Sequence, residues 1–354
     1  MVRRDRRWTP EEARAWYANE AWHVGCNFVP STAINQMEMW SAETFDAETI
    51  ERELGWARDA GFDTMRVYLH DRAWAEDPNG FLDRMDRYLT IASGKGICTL
   101  FVIFDDCWHE PEAGPPPAPR PGVHNSGWLQ SPGRRVLAEA HWQARLEPYV
   151  RAVVERFAED PRVLAWDVFN EPTNDFLPIL SLPDQQRDDS EQALAALRAE
   201  RRKGSFALLD AAFEWVRAAR PSQPLTAAIW SDDPELNERL AALSDVISFH
   251  HYRSGASLER QIERLQGYER PMFCTEYLAR TTDCTFESHL PTFKRARVAC
   301  WNWGLVDGKS QTKYSWTERL DGEPEVWFHD VFERDGRPWR EAEVALIRSL
   351  TERP

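Results

Sequence analysis

The chain is short of positive charge. Its 43 lysines and arginines face 58 aspartates and glutamates, for a formal charge of −15. Nucleic acid and anionic membrane surfaces are bound by clustered cations, so neither is expected as a partner, and a neutral or cationic substrate fits better. No apolar run approaches the roughly 20 residues of a membrane span. The six cysteines, at 26, 98, 107, 274, 284 and 300, form no Cys-x-x-Cys pair and no zinc spacing. Four of them (Cys26, Cys98, Cys274 and Cys300) fall inside expected strands, where a free thiol serves as a small apolar filler, and a reducing compartment fits that usage. The start, Met1 to Trp8, is basic like the opening of a signal peptide, but Glu11-Glu12 stand where the apolar segment should follow. A cytoplasmic protein without an export signal is the expectation.

Tryptophan is abundant, with 17 residues. Core packing accounts for much of that, but sugar rings also present an apolar face that stacks on indole. A length of 354 residues allows two average domains or one barrel with generous loops. Eight short runs, mostly apolar throughout, read as strands: His23–Pro30, Thr64–Leu69, Ile97–Phe104, Val163–Phe169, Leu225–Trp230, Val246–Phe249, Pro271–Glu276 and Val298–Trp303. Strands apolar on both faces are those of a covered parallel sheet. Helical spacing follows most of them: Phe45–Ala60, Leu82–Ala92, Val136–Glu159, Glu191–Arg220, Pro234–Leu243, Leu258–Gln266 and Glu341–Leu350. No Gly-x-Gly-x-x-Gly follows the first strand, so a (β/α)8 barrel outranks a doubly wound sheet. The expected architecture is one α/β domain over 1–354, a TIM barrel with a helical preamble over about 1–20. Its long loops follow strands three (110–133) and four (173–189). The first contains Pro115-Pro116-Pro117, but the strand–helix alternation resumes after it, which argues against a linker.

In such a barrel the reacting groups stand at the carboxyl ends of the strands. Those positions supply Asn35, Glu38 and Trp40 beyond strand one, then Arg66, Asp105, Asp106, Trp108, His109, Asn170, Glu171, Trp230, His250, Tyr252, Glu276 and Trp303. A lone strand-end glutamate is usually a surface or capping residue. Two of them, Glu171 and Glu276, can converge from strands four and seven. One carboxylic acid to protonate a leaving oxygen and one carboxylate to attack an anomeric carbon are what glycosidic cleavage requires. Glu276 beside Arg66 would be held ionised, whereas the acid needs a pKa raised by burial and by the other carboxylate. His250-His251 raises the question of a metal. With no second histidine pair and no Asp/His cluster on strand one, no metal and no organic cofactor is expected.

These motifs resemble those of clan A glycoside hydrolases, family 5 cellulase-like enzymes in particular. Phe169-Asn170-Glu171-Pro172 resembles the strand-four motif, which implies that Glu171 is the acid/base and that Asn170 binds the sugar 2-hydroxyl. Phe273-Cys274-Thr275-Glu276-Tyr277 resembles the strand-seven motif, which makes Glu276 the nucleophile. Arg66 matches the strand-two arginine, Phe249-His250-His251-Tyr252 the His-x-Tyr of strand six, and Trp301-Asn302-Trp303 the strand-eight tryptophan, with Trp303 as floor of the glycone subsite. Five ordered motifs cover residues 22 to 304.

The chain departs from the family pattern after strand three. Asp106-Cys107-Trp108-His109 is one residue longer than the usual Asp-Trp-His, which leaves the subsite histidine open between His109 and others. The stretches Asn35–Trp40 and Gly304–Thr312 are closer to barrels of β-xylanase, β-galactosidase or β-mannosidase type. The resemblance implies a retaining β-glycosidase acting on a carbohydrate, in exo mode or on short substrates. The alternatives are a transglycosylase or a barrel that binds sugar without cleaving it.

Overall fold

The computed structural model describes residues 3–175, 191–317 and 319–352. Eight strands, β1 (Val24–Asn27), β2 (Thr64–Tyr68), β3 (Cys98–Asp105), β4 (Val163–Asn170), β5 (Leu225–Thr226), β6 (Ile247–His250), β7 (Met272–Tyr277) and β8 (Ala299–Trp303), run parallel in the order β5-β4-β3-β2-β1-β8-β7-β6. The ends of that order meet. Ile229 bridges to Phe249, its N–H donating to the Ser248 carbonyl at 2.9 Å and its carbonyl accepting from His250 N–H at 3.0 Å. That bridge closes the (β/α)8 barrel. β5 is shorter than expected because only Leu225 and Thr226 pair with β4, and the chain leaves the ladder before Ile229 rejoins on the other side.

A helix follows every strand: Ala47–Ala60, Pro78–Gly94, Trp142–Phe157, Glu191–Ala218, Pro234–Leu243, Gly255–Gln266, Phe286–Ala296 and Glu341–Thr351. The first shows how the sequence specifies them. Asp46 caps it by accepting from Thr49 N–H at 3.0 Å, Ile50, Leu54 and Ala57 line its buried face, and Gly61 at φ 100° ends it. Two elements differ from expectation. Phe286–Ala296 was not foreseen, because Pro291 interrupts its pattern, yet Thr285 and Ser288 form a capping box that starts it. The stretch read as one helix over Val136–Glu159 is two, Arg134–Leu137 and Trp142–Phe157. Of the loop 173–189, only Thr173, Asn174 and Asp175 lie within the described residues.

Most apolar burial lies between strands and helices. Inside the barrel a second cluster of Leu100, Val102, Leu164, Val246, Phe273 and Trp301 fills the lower half. The helix Pro10–Ala18 closes the end away from the strand termini, with Tyr17 packed on Phe273 at 5.8 Å. Between β1 and β2 the backbones leave no room for a side chain. A Cβ at Gly25 would lie 1.8 Å from the Thr64 carbonyl oxygen, so glycine is required by close approach rather than by its dihedral angles. No helix among the described residues is long and apolar enough to cross a membrane.

Candidate active site

Glu171 follows the last residue of β4 and Glu276 lies in β7, so both stand at the carboxyl face. Glu171 has φ 42°, in the left-handed region that costs a non-glycine residue about 1 kcal/mol. That turn aims its carboxylate across the barrel. One oxygen of each glutamate and the His250 imidazole lie within 4.8 Å of one another.

Glu276 is held by three donors. Its Oε1 accepts from Arg66 Nη1 and Tyr68 Oη, each at 2.8 Å, and its Oε2 from Tyr252 Oη at 2.8 Å. Arg66 is wholly buried and spends its remaining N–H groups on Asp167 Oδ2 (3.0 and 2.8 Å), Asn27 Oδ1 (2.8 Å) and Asn170 Oδ1 (2.6 Å). Burial alone would push its pKa down. Tyr68, Asp167 and Glu276 outweigh that and drive it well above its ordinary value. A fully charged fork pinned on four strands makes a rigid seat for a carboxylate.

Glu171 sits in a softer setting. His250 Nδ1 lies 2.7 Å from its Oε1, and the Cys107 thiol donates to its Oε2 at 3.2 Å. Asn174 Nδ2 also donates to Oε2. Burial pushes the Glu171 pKa up, but the His250 hydrogen bond and charge, with Cys107 and Asn174, outweigh it and the net direction is down. The sequence argument expected the opposite direction for the acid, having weighed burial and the second carboxylate without the imidazole. Asn170 donates to Asp105 Oδ1 at 2.9 Å. Asp105 is pushed up to about 7 by burial, despite the hydrogen bonds it accepts from Trp128 and Asn170.

Both glutamates open into a cavity of about 470 Å³. Trp108, Trp230, Tyr252 and Trp303 line it, as do His250 and Asn170. Trp108, Trp128, His124 and Trp316 add walls from outside the strands. Trp128 meets Trp303 edge-on at 5.5 Å, His124 packs on Trp108 at 5.4 Å, and Trp316 packs on Tyr252 at 4.7 Å. His124 lines the cavity where His109 was the candidate. His109 instead pairs its backbone with Trp128 and Gln130 on the loop, outside the cavity lining.

Asn35, Glu38 and Trp40 lie outside that lining as well. Asn35 caps the short helix Gln36–Trp40 by accepting from Glu38 N–H at 2.9 Å, and donates to the Gly127 carbonyl at 2.7 Å. Glu38 accepts from Ile34 N–H at 2.7 Å and pairs with Lys309. Trp40 is fully buried and donates to the Tyr68 carbonyl at 2.7 Å. They support the strand-one side of the rim from behind. Asp106 turns away from the cavity toward Ser205 and Arg201. Tyr68, Cys107, Asn174, His124, Trp128 and Trp316 are among the contributors not singled out from sequence. Tyr68 was legible, being two residues beyond Arg66 on the same face of β2.

Among the described residues two groups have metal-ligand spacing, Glu171/His250/Glu276 in the cavity and His251/Cys284/His289 beside it, where His251 also lines the cavity. In the first, Glu276 already accepts hydrogen bonds from Arg66, Tyr68 and Tyr252.

No protein-family model matches the chain, and comparison with curated proteins finds no match. Solved structures are similar in shape. A variant of a GH5_18 enzyme from Streptomyces cattleya, in complex with Manb1-4GlcNAc, is 16% identical with a TM-score of 0.59, over 94% of this chain and 82% of that one. The chain has the barrel these enzymes share. The exo-beta-1,4-mannosidase Op5Man5 from Opitutaceae bacterium strain TAV5 is 16% identical with a TM-score of 0.60, over 93% of this chain and 59% of its own. A Bacteroides uniformis beta-glucuronidase is 13% identical with a TM-score of 0.56, and here the chain spans only 35% of the larger protein.

Proposed function

We propose that the protein is a retaining β-glycoside hydrolase acting by double displacement. The observation that carries this reading is the pair of carboxylates, with oxygens within 4.8 Å across one walled cavity. Carboxyl groups about 5–5.5 Å apart leave room for a covalent glycosyl intermediate, whereas inversion needs about 6.5–9.5 Å to admit a water. Glu276, oriented by Arg66, Tyr68 and Tyr252, attacks the anomeric carbon. Glu171 gives its proton to the leaving oxygen, then takes one from the water that releases the sugar. A glycoside filling the cavity excludes water from Glu171, which adds to the burial that favours its protonated form. Trp303, Trp128 and Trp108 offer faces and edges for sugar stacking, and the walls from 106–133 and 304–317 suit a short β-glycoside taken in exo mode. The barrels it resembles in shape include enzymes named for mannosides and for glucuronides, so β-mannosides and β-glucuronides head the panel of substrates.

Incubation with activated 2-deoxy-2-fluoro β-glycosides tests this reading. Accumulation of one glycosyl unit on the peptide containing Glu276 is the expected result. No label across a broad sugar panel, alongside measurable sugar binding, would instead support a barrel that only binds.

The Glu171 environment makes a second prediction. The basic limb of kcat/KM reports ionisation of the acid in the free enzyme. With His250→Ala the main lowering influence on Glu171 is removed and burial dominates, so the limb should move to higher pH, with kcat reduced about tenfold or more. A limb that stays in place, or moves to lower pH, would remove Glu171 from the role of acid.

A further inference from the structure

At the edge of the cavity, where His251 lines it, three metal-ligating side chains converge from three separate elements. His251 follows the last residue of β6, Cys284 stands in the loop after β7, and His289 lies on the helix Phe286–Ala296. All three are buried, Cys284 and His289 completely. His251 Nδ1 lies 3.0 Å from His289 Nε2, Cys284 Sγ lies 3.3 Å from the same nitrogen, and one ligand atom of each falls within 4.8 Å of the others. We propose that His251, Cys284 and His289 form a zinc site that ties the end of β6 to the β7–β8 connection.

The spacing suits an ion. The three ligand atoms lie within 4.8 Å of one another, compact enough to share one ion at Zn–N and Zn–S bond lengths of about 2.0–2.3 Å after small side-chain adjustments. The surroundings suit it too. His289 Nδ1 is 2.8 Å from Ser288 Oγ, and its ring stacks on Tyr277 at 5.9 Å, so the imidazole is oriented with Nε2 toward the other two residues. A second hydrogen bond of this kind to the far ring nitrogen is how ligating histidines are usually held. Leu278 N–H donates to Cys284 Sγ at 3.2 Å, which fixes the position of the sulfur.

Hydrogen bonding alone serves the cluster poorly. His251 Nδ1 and Cys284 Sγ both approach His289 Nε2, a ring nitrogen that makes one hydrogen bond along its axis whichever tautomer is present. The other acceptor within reach of the thiol is the His251 carbonyl, at 3.4 Å. A zinc ion instead takes one lone pair from each residue. Two Zn–N bonds and one Zn–S bond form, the thiol proton leaves to solvent, and the fourth position falls to a water. The site is separate from the glycosidase reading, since none of its three residues is a reacting group there.

The test is metal analysis of the untagged full chain purified from zinc-supplemented cells. About one zinc per chain is expected, falling at least tenfold in Cys284→Ser and His289→Ala. Because either variant could fold poorly, the wild-type chain is also stripped with chelator and reloaded with cobalt. A sulfur-to-cobalt charge-transfer band with four-coordinate visible bands should appear, together with a higher Tm than the stripped protein. Glu276→Ala should keep its zinc. Wild-type protein with negligible metal and no cobalt–sulfur band would overturn the proposal in favour of a dry hydrogen-bonded triad. Metal lost in Glu276→Ala but retained in Cys284→Ser would overturn it by placing the ion among Glu171, His250 and Glu276.

Discussion

Glu276→Ala should lower kcat/KM on an aryl β-glycoside by roughly four orders of magnitude, about 5–6 kcal/mol of transition-state stabilisation. The loss is of a bond-forming group, so it cannot be recovered by tighter binding. The fold should survive, because Arg66 keeps Asp167 as a buried partner and Tyr252 and Tyr68 lose only an acceptor. Exogenous azide entering the vacated space should restore turnover and yield a glycosyl azide of inverted configuration. Glu171→Ala makes the complementary case. A leaving group that needs no proton should still react to form the intermediate, whose slow hydrolysis azide then accelerates, now with a product of retained configuration. Azide products of one configuration in both variants, read by proton NMR, would refute the assignment of roles. So would equal losses in both variants that azide does not relieve.

Much of this site could be read from the chain because barrel strands register their ends. Asn27 pairs with Arg66 across β1 and β2, and Asp105 with Asn170 across β3 and β4, so motif residues at strand ends meet by construction. Glu171, Glu276, Arg66, His250 and Tyr252 all stand on or just after strands, and the fold brings them together. What the pattern could not give lies on connections. Trp128 and His124 are positioned by pairings that span the chain, such as His109 with Leu129 and Asn125 N–H with the Ser310 carbonyl, and no local periodicity encodes those. Asn35, Glu38 and Trp40 mislead in the other direction. A polar and aromatic cluster after a strand has the composition of a subsite, and the same composition caps a helix, binds Lys309 and packs a loop. Cys107 is the residue that lengthens the strand-three motif, and its thiol reaches the Glu171 carboxylate. The helix Phe286–Ala296 escaped notice because a single proline outweighs apolar spacing in a one-dimensional reading, while in the fold its capping box and buried face outweigh the proline.

Arg66→Met should be the most damaging single change to stability among the residues of the cavity floor. Methionine fills a similar volume, so packing is largely kept and the change isolates the charge. Asp167 is wholly buried, and its Oδ2 takes both of its hydrogen bonds from Arg66 while Oδ1 has no partner among the described residues. Removing the arginine leaves that carboxylate and Glu276 side by side in the barrel without the guanidinium. Breaking one partner of a buried ion pair costs about 3–5 kcal/mol, which for a chain of this length is a fall in Tm on the order of 5–10 °C. Adding Asp167→Asn to Arg66→Met removes the stranded charge and should recover part of the lost Tm, whereas a purely steric defect would not respond to it. Activity should follow a different course. Both the single and the double variant lose the Nη1–Oε1 hydrogen bond that seats Glu276 and the Nη2–Oδ1 bond that seats Asn170, so kcat should stay low, by about a hundredfold or more, even where Tm recovers. If the double variant regained activity in step with stability, Arg66 would be a folding residue only, and the orientation of Glu276 would have to come from Tyr68 and Tyr252 alone.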